Sequence, residues 1–311
     1  MADRRAQRAV GGTGELPARV VSSRVNLRTR IRDLWGAREL FVFLVRKDLK
    51  VKYKNSFLGF LWSMVNPAVV LGVYYMVFRY VLKSGIPDFA LYLFSGLIVW
   101  NLFSVALSSA TGVIVASAGI VKKVAFPREV LPLAQVGTAS VFFFFQAIVM
   151  IGFLLGFQYA PSWKYMPVLL WALLDLIVLT SACAVFLSAV NVYFRDVQHL
   201  IGVVLQAWFW VAPIIYSYNL VYGLFKRHDL HVLTTLYLID PVTPIILAFQ
   251  RALYGKVTVR TPTNPHLVVL SNYPYHFYLE MLAILLVAGV VAFFGAMLVF
   301  ARIEGNFAQE L

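Results

Sequence analysis

The stretch VASAGIVKKVAFPREVLPLAQ, residues 115–135, decides how the chain is read. It sets Lys122, Lys123, Arg128 and Glu129 between two long apolar runs, about 90–114 before it and about 131–157 after it. An elbow this small cannot be a domain, and its charges keep it out of hydrocarbon. It also carries Ile120, Val124, Ala125, Phe126 and Pro127 among the charges, so it presents an apolar knob on a basic surface. Such a surface suits docking onto another protein.

Working outward, the 311 residues are 61% apolar and 13% charged, with a mean hydropathy of +0.78. Soluble domains hold roughly 45–50% apolar and 25% charged residues, so the chain reads as an all-α polytopic membrane protein. Crossing about 30 Å of hydrocarbon at 1.5 Å per residue takes roughly 20 helical residues. Runs that meet this are expected to span at about 57–82, 90–114, 131–157, 167–192, 199–218 and 277–301. Asn66-Pro67 does not end the first, because neighbouring helices can satisfy the carbonyl a proline frees.

Ahead of the first span, Leu40, Phe41, Leu44, Val45, Leu49 and Tyr53 recur at helical spacing against Arg46, Lys47, Asp48, Lys50, Lys52 and Lys54. Residues 37–56 are therefore expected to form an amphipathic interface helix on the membrane surface. Residues 1–36 hold eight arginines and no apolar core of a signal peptide, and read as a disordered basic leader. Residues 219–276 contain apolar pieces too short to span, such as 233–239 and 244–253, and read as short outer helices, interfacial or re-entrant, bent at Pro241 and Pro244.

Of the 27 Lys and Arg, 14 lie in the first 54 residues, which places that segment and both termini in the cytoplasm. The same bias explains the net charge of +13 without a nucleic-acid partner. Cys183, the sole cysteine, excludes an intrachain disulfide and a thiol metal cluster, and His228 and His231 lack a convincing third ligand.

No GxxxxGK[ST] phosphate loop is present, so the chain cannot power transport alone, and no cofactor is expected on it. A membrane-embedded transferase would need clustered acids, whereas Asp88, Asp229, Asp240 and Glu280 are scattered singly. Aromatic residues near span centres and ends, Trp62, Trp100, Phe103, Trp208, Trp210 and Tyr216, suit either a channel wall or ordinary packing. Asp175 lies within a span, with Arg79 as a candidate partner across the bundle.

Three stretches resemble one family, the membrane subunits of ABC-2 type exporters of lipid-linked polysaccharide. They are RKDLKVKYKNSFLGFLWSMVNP (46–67), SAGIVKKVAFPREVLPLA (117–134) and NVYFRDVQHLIGVVLQAWFWVAPIIYS (191–217). DPVTPIILAFQRALYG and FARIEGNFAQEL are weaker matches, the first with Asp240-Pro241 where the family usually has Asn-Pro. The resemblance implies a homodimer bound to two copies of a separate ATP-binding subunit that holds ATP and Mg, in the bacterial inner membrane.

It further implies that 117–129 is a coupling helix seated on that subunit through Gly119, Lys122, Lys123, Phe126, Pro127, Arg128 and Glu129. Arg46, Lys47, Lys50, Lys52, Tyr53 and Lys54 would meet membrane lipid or a lipid pyrophosphate, with Lys50 and Lys54 the sharpest candidates. Asp240, Pro241 and Arg251 would belong to an outer gate. The cargo implied is a polyprenyl-pyrophosphate-linked polysaccharide of the O-antigen, teichoic acid or cell-wall galactan type. An ABC-2 exporter of a small lipid or drug is the nearest alternative.

Overall fold

The computed structural model describes residues 27–53, 62–81, 86–228, 237, 239–259 and 267–311. Three helices come first: α1 (Leu27–Gly36), α2 (Arg38–Tyr53) and α3 (Trp62–Met76), the last continued by a π-helical turn over Val77–Val81. The bundle follows as α4 (Phe89–Ala116), α5 (Ala118–Val121), α6 (Val130–Gly156), α7 (Met166–Tyr193) and α8 (Val197–Val211). Next come α9 (Tyr218–Arg227), α10 (Val242–Leu253), strands β1 (Thr258–Val259) and β2 (Leu267–Val268), α11 (Tyr275–Ile303) and α12 (Phe307–Glu310). The strands are a two-residue antiparallel pair, Thr258 opposite Val268, and the other described elements are helices.

Among the described residues, four helices are long and apolar enough to cross a membrane: α4, α6, α7 with the turn before it, and α11. Their polar ends alternate, so the elbow, the turn after α7 and the residues after α11 share one end of the bundle, here the elbow end. The turns after α6, around Pro87 and after α10 share the far end, where the Tyr254 hydroxyl donates to the Pro87 carbonyl at 2.9 Å and Lys256 pairs with Asp88 at 2.7 Å.

α4 is the axis of the core, packed against α6, α7, α8 and α10, while α11 lies on the outside of α7. α11 keeps Ile284, Val287 and Val291 exposed, as suits a lipid-facing surface.

One expected span differs from the structure, and another lies partly outside the described residues. The segment expected at 199–218 is helical only from Val197 to Val211. Pro213 forces Ala212 into extended backbone (φ −66°, ψ 142°), which ends the helix, and α9 starts afresh at Tyr218. The span expected at 57–82 is described from Trp62 onward. Of the basic leader, residues 1–26 lie outside the described residues, and 27–36 form α1 rather than disordered chain. Its sequence has no long apolar run. Its order comes from ion pairs to residues some hundred or more positions away, which a local pattern does not reveal.

α2 is held more closely to the bundle than a helix floating on the membrane surface. A Cβ at Gly137 of α6 would lie 2.6 Å from Phe41 Cζ and 3.0 Å from Val45 Cγ2, so these α2 side chains reach the α6 backbone this closely only over glycine. Gln135 donates to Asp48 at 2.6 Å, and Lys52 sits 4.2 Å from the Phe142 ring centroid. Gly137→Leu is expected to push α2 off α6 and to cost about 1–3 kcal/mol, the usual price of overpacking. A lowered melting temperature in detergent checks this, and an unchanged one counts against the contact.

Candidate docking face and membrane groove

At the elbow end, α5 and the turn after it expose Ile120, Lys122, Lys123, Val124 and Ala125, while Gly119 is open to added volume. These are the residues free to meet a partner. Phe126 and Pro127 are half-buried and packed inward. Glu129 is 1% exposed and pairs with Arg30 of α1, and Arg30 also donates to Glu304 at 2.7 Å. Arg128 donates to the Glu304 carbonyl at 2.8 Å.

Arg128 and Glu129 therefore build the elbow rather than face outward from it. Burial pushes the Glu129 carboxyl above its ordinary value and Glu304 beside it adds to the push, with Arg30 opposing. Burial works against the Arg30 charge as well, and Glu129 and Glu304 more than offset it. A cleft of about 560 Å³ lies between α1 and the elbow, lined among others by Arg32, Asp33, Phe126 and Pro127.

Along the α2 surface, Arg46, Lys47 and Lys50 are exposed, and Lys47 pairs with Asp48 at 3.3 Å. Lys52 is the cation set against the bundle, through Phe142. Lys54 lies outside the described residues, as do the side chains of Tyr53 and Trp62.

A second feature lies within the membrane. α4 carries Asn101, Ser104, Val105, Ser108 and Ser109 at i, i+3, i+4, i+7 and i+8, one helical face, and all are at least partly exposed. With Tyr74 of α3 and Gln206, Phe209 and Trp210 of α8, they line an open groove of about 530 Å³. A polar stripe on a spanning helix is costly against lipid and belongs against water or protein.

Aromatic packing fixes the groove wall: Tyr74 stacks on Phe209 at 5.7 Å, and Trp100 meets Phe209 at 5.8 Å and Trp208 at 6.4 Å. Trp210 is 52% exposed at the rim, whereas Trp100 and Phe103 are buried behind it. Tyr216 bonds back to the carbonyls of Trp210 and Val211 at 2.5 and 2.8 Å. The aromatic candidates other than Trp62, whose side chain lies outside the described residues, thus gather in one place, and the hydroxyl stripe beside them is the part sequence reasoning missed. Its helical spacing is visible once α4 is drawn as a wheel.

α10 enters the bundle from the far end, with every residue buried except Arg251, which is half-buried. Gln250 donates to the Pro213 carbonyl at 2.8 Å. Asp240 holds its start, accepting from the Trp208 indole at 3.0 Å, the Val242 amide at 3.2 Å and the Thr243 hydroxyl at 2.5 Å. Gly255, at φ +69°, ends the segment after Tyr254 in a conformation suited to glycine.

Pro241 precedes the first turn, and Arg251 sits at the opposite end, 4.6 Å from the Tyr165 ring centroid, so the three gate candidates lie at two ends of one helix. Asp240→Ala is expected to strand the Trp208 N–H in an apolar setting and cost about 2–4 kcal/mol. Asp240→Asn keeps an acceptor and should lose less than half of that, as read by thermal unfolding in detergent.

Asp175 does not pair with Arg79, which lies exposed on the π-helical turn after α3. Among the described residues both Asp175 oxygens are without a hydrogen-bond partner.

The family model described as ABC-2 type transporter matches residues 39–254, which takes in α2, the elbow, the groove and α10. The chain belongs to the ABC-2 type transporter family. This ABC-2 protein is 32% identical over 226 residues to an O-antigen export system permease protein RfbA of Myxococcus xanthus, covering 72% of this chain and 84% of the relative. A permease of the same name from Klebsiella pneumoniae is 27% identical over 277 residues, 88% of this chain and 95% of the relative. A polysialic acid transport protein KpsM of Escherichia coli is 23% identical over 181 residues, 56% of this chain and 68% of the relative. As an ABC-2 membrane protein the chain is multi-pass, and its matched region contains the elbow and the groove, with Arg30 and Glu304 outside it.

Proposed function

We propose that this chain is the permease subunit of an ATP-driven exporter that moves a lipid-linked polysaccharide from the cytoplasmic to the outer face of a bacterial inner membrane. The groove between α3, α4 and α8 carries the reading. It combines serine, asparagine and glutamine groups for sugar hydroxyls with Tyr74, Phe209 and Trp210 for the apolar C–H faces, at membrane depth. Two such grooves brought together in a homodimer would enclose a path with both qualities on all sides. The names of the relatives, which concern O-antigen export and polysialic acid transport, support a polysaccharide cargo.

In this arrangement the elbow end is cytoplasmic and both termini lie there. Two copies of a separate ATP-binding subunit seat on the elbows and hold ATP and Mg. The lipid pyrophosphate of the carrier meets the α2 cations, Lys52 foremost. Depletion of the chain is expected to accumulate lipid-linked polymer on the cytoplasmic side, and a reconstituted complex should move it across vesicles only with ATP. Polymer that reaches the outer face undiminished after depletion would refute the reading.

A further inference from the structure

The residues that follow α11 touch three separate parts of the elbow end. Glu304 accepts from Arg30 of α1 at 2.7 Å and lies 3.8 Å from the Arg128 Nε, while its carbonyl accepts from Arg128 at 2.8 Å. Phe307 is fully buried, 5.3 Å from the Phe300 ring and 6.3 Å from the Tyr193 ring. The Tyr193 hydroxyl donates to the Ile303 carbonyl at 3.0 Å, and Arg195 donates to the Glu310 carbonyl at 3.3 Å. Residues 303–310 thus connect the elbow, through Arg128, with the turn between α7 and α8, through Tyr193 and Arg195.

Both of those turns offer apolar groups to solvent beside cations: Ile120 and Val124 with Lys122 and Lys123 on one, Phe194 with Arg195 on the other. An elbow tied only to its own flanking helices would pass a push to α4 and α6. Tied as it is, it also engages α7, α8, α11 and, through Arg30 and Glu129, α1.

We propose that residues 303–310 are a brace that joins the elbow and the α7–α8 turn into one rigid docking face, with Glu304 and Arg30 as its positioning residues. The partner that fits this face is a soluble protein with apolar pockets rimmed by acids. The proposal rests on the exporter reading and adds how the motor's stroke is distributed.

The test uses the full complex with its ATP-binding subunit, purified and reconstituted, carrying Glu304→Asp, Glu304→Gln or Glu304→Lys. Per folded complex, subunit association and ATP hydrolysis are expected to stay near wild type, although Glu304→Lys, like Arg128→Glu, lowers folded yield. Polymer exported per ATP hydrolysed should fall in the order Asp, Gln, Lys, by on the order of ten-fold for Lys, which places a third cation between Arg30 and Arg128. An unchanged ratio in all three variants would overturn the brace. So would yield, hydrolysis and export that fall together in Gln as well as Lys, because that pattern marks a merely structural residue. Failure of the wild-type complex to hydrolyse or export would instead remove the exporter reading itself, so the two failures are separable.

Discussion

Lys122→Glu combined with Lys123→Glu is expected to abolish binding of the ATP-binding subunit while the chain still folds and inserts. Both side chains are exposed on the elbow, flanked by Ile120 and Val124, and among the described residues neither makes an ion pair. Reversing them removes nothing from the fold. Across an interface, like charges brought together cost several kcal/mol, so two reversals are worth at least about 4 kcal/mol, roughly a thousand-fold in Kd.

Titration of the partner against detergent-purified protein checks this, with the melting temperature as a control for folding. Wild-type affinity in the double variant would sink the docking assignment. Arg128→Glu should behave differently, since it places a carboxylate beside Glu304 and lowers folded yield before any binding is measured.

The second large effect concerns the groove. Ser104→Leu with Ser108→Leu is expected to leave assembly and ATP hydrolysis intact while export falls roughly thirty-fold, because two lost hydroxyl contacts at about 1 kcal/mol each amount to about 2 kcal/mol. Both serines lie on the exposed face of α4 in the groove wall, away from the buried α4–α6 and α4–α7 contacts. Leucine is at home in a membrane helix, so stability should hold or rise. Undiminished export by this variant in reconstituted vesicles would show that cargo passes elsewhere.

Long spans were legible in the sequence because hydropathy and length suffice to find them: α4, α6, α7 and α11 lie within a few residues of the expected runs. The shorter elements were less so. α8 and the turn after it form one apolar run in sequence, and only the backbone restriction that Pro213 places on Ala212 divides them.

The elbow's location could be read, but not the inward turn of Arg128 and Glu129. Their partners, Arg30 and Glu304, lie 99 and 176 positions from the elbow residues they meet, and a charge in sequence carries no sign of which way it faces. In the membrane, attention to aromatic side chains found part of the groove's wall and passed over the small hydroxyl residues beside them.

The shortness of α8 has an electrical consequence. Fifteen residues rise about 22 Å, against about 30 Å for a bilayer's hydrocarbon, and α10 enters from the far end to the level of Trp208. Where α8 lines the proposed cargo path, an insulating layer no thicker than this helix would make a given membrane voltage fall over a shorter distance, a field about a third steeper. A charge crossing it gains about 2.3 kcal/mol per 100 mV. With the cell interior negative, that force drives an anionic carrier headgroup outward, so the resting voltage of the cell acts on the proposed cargo in the same direction as ATP.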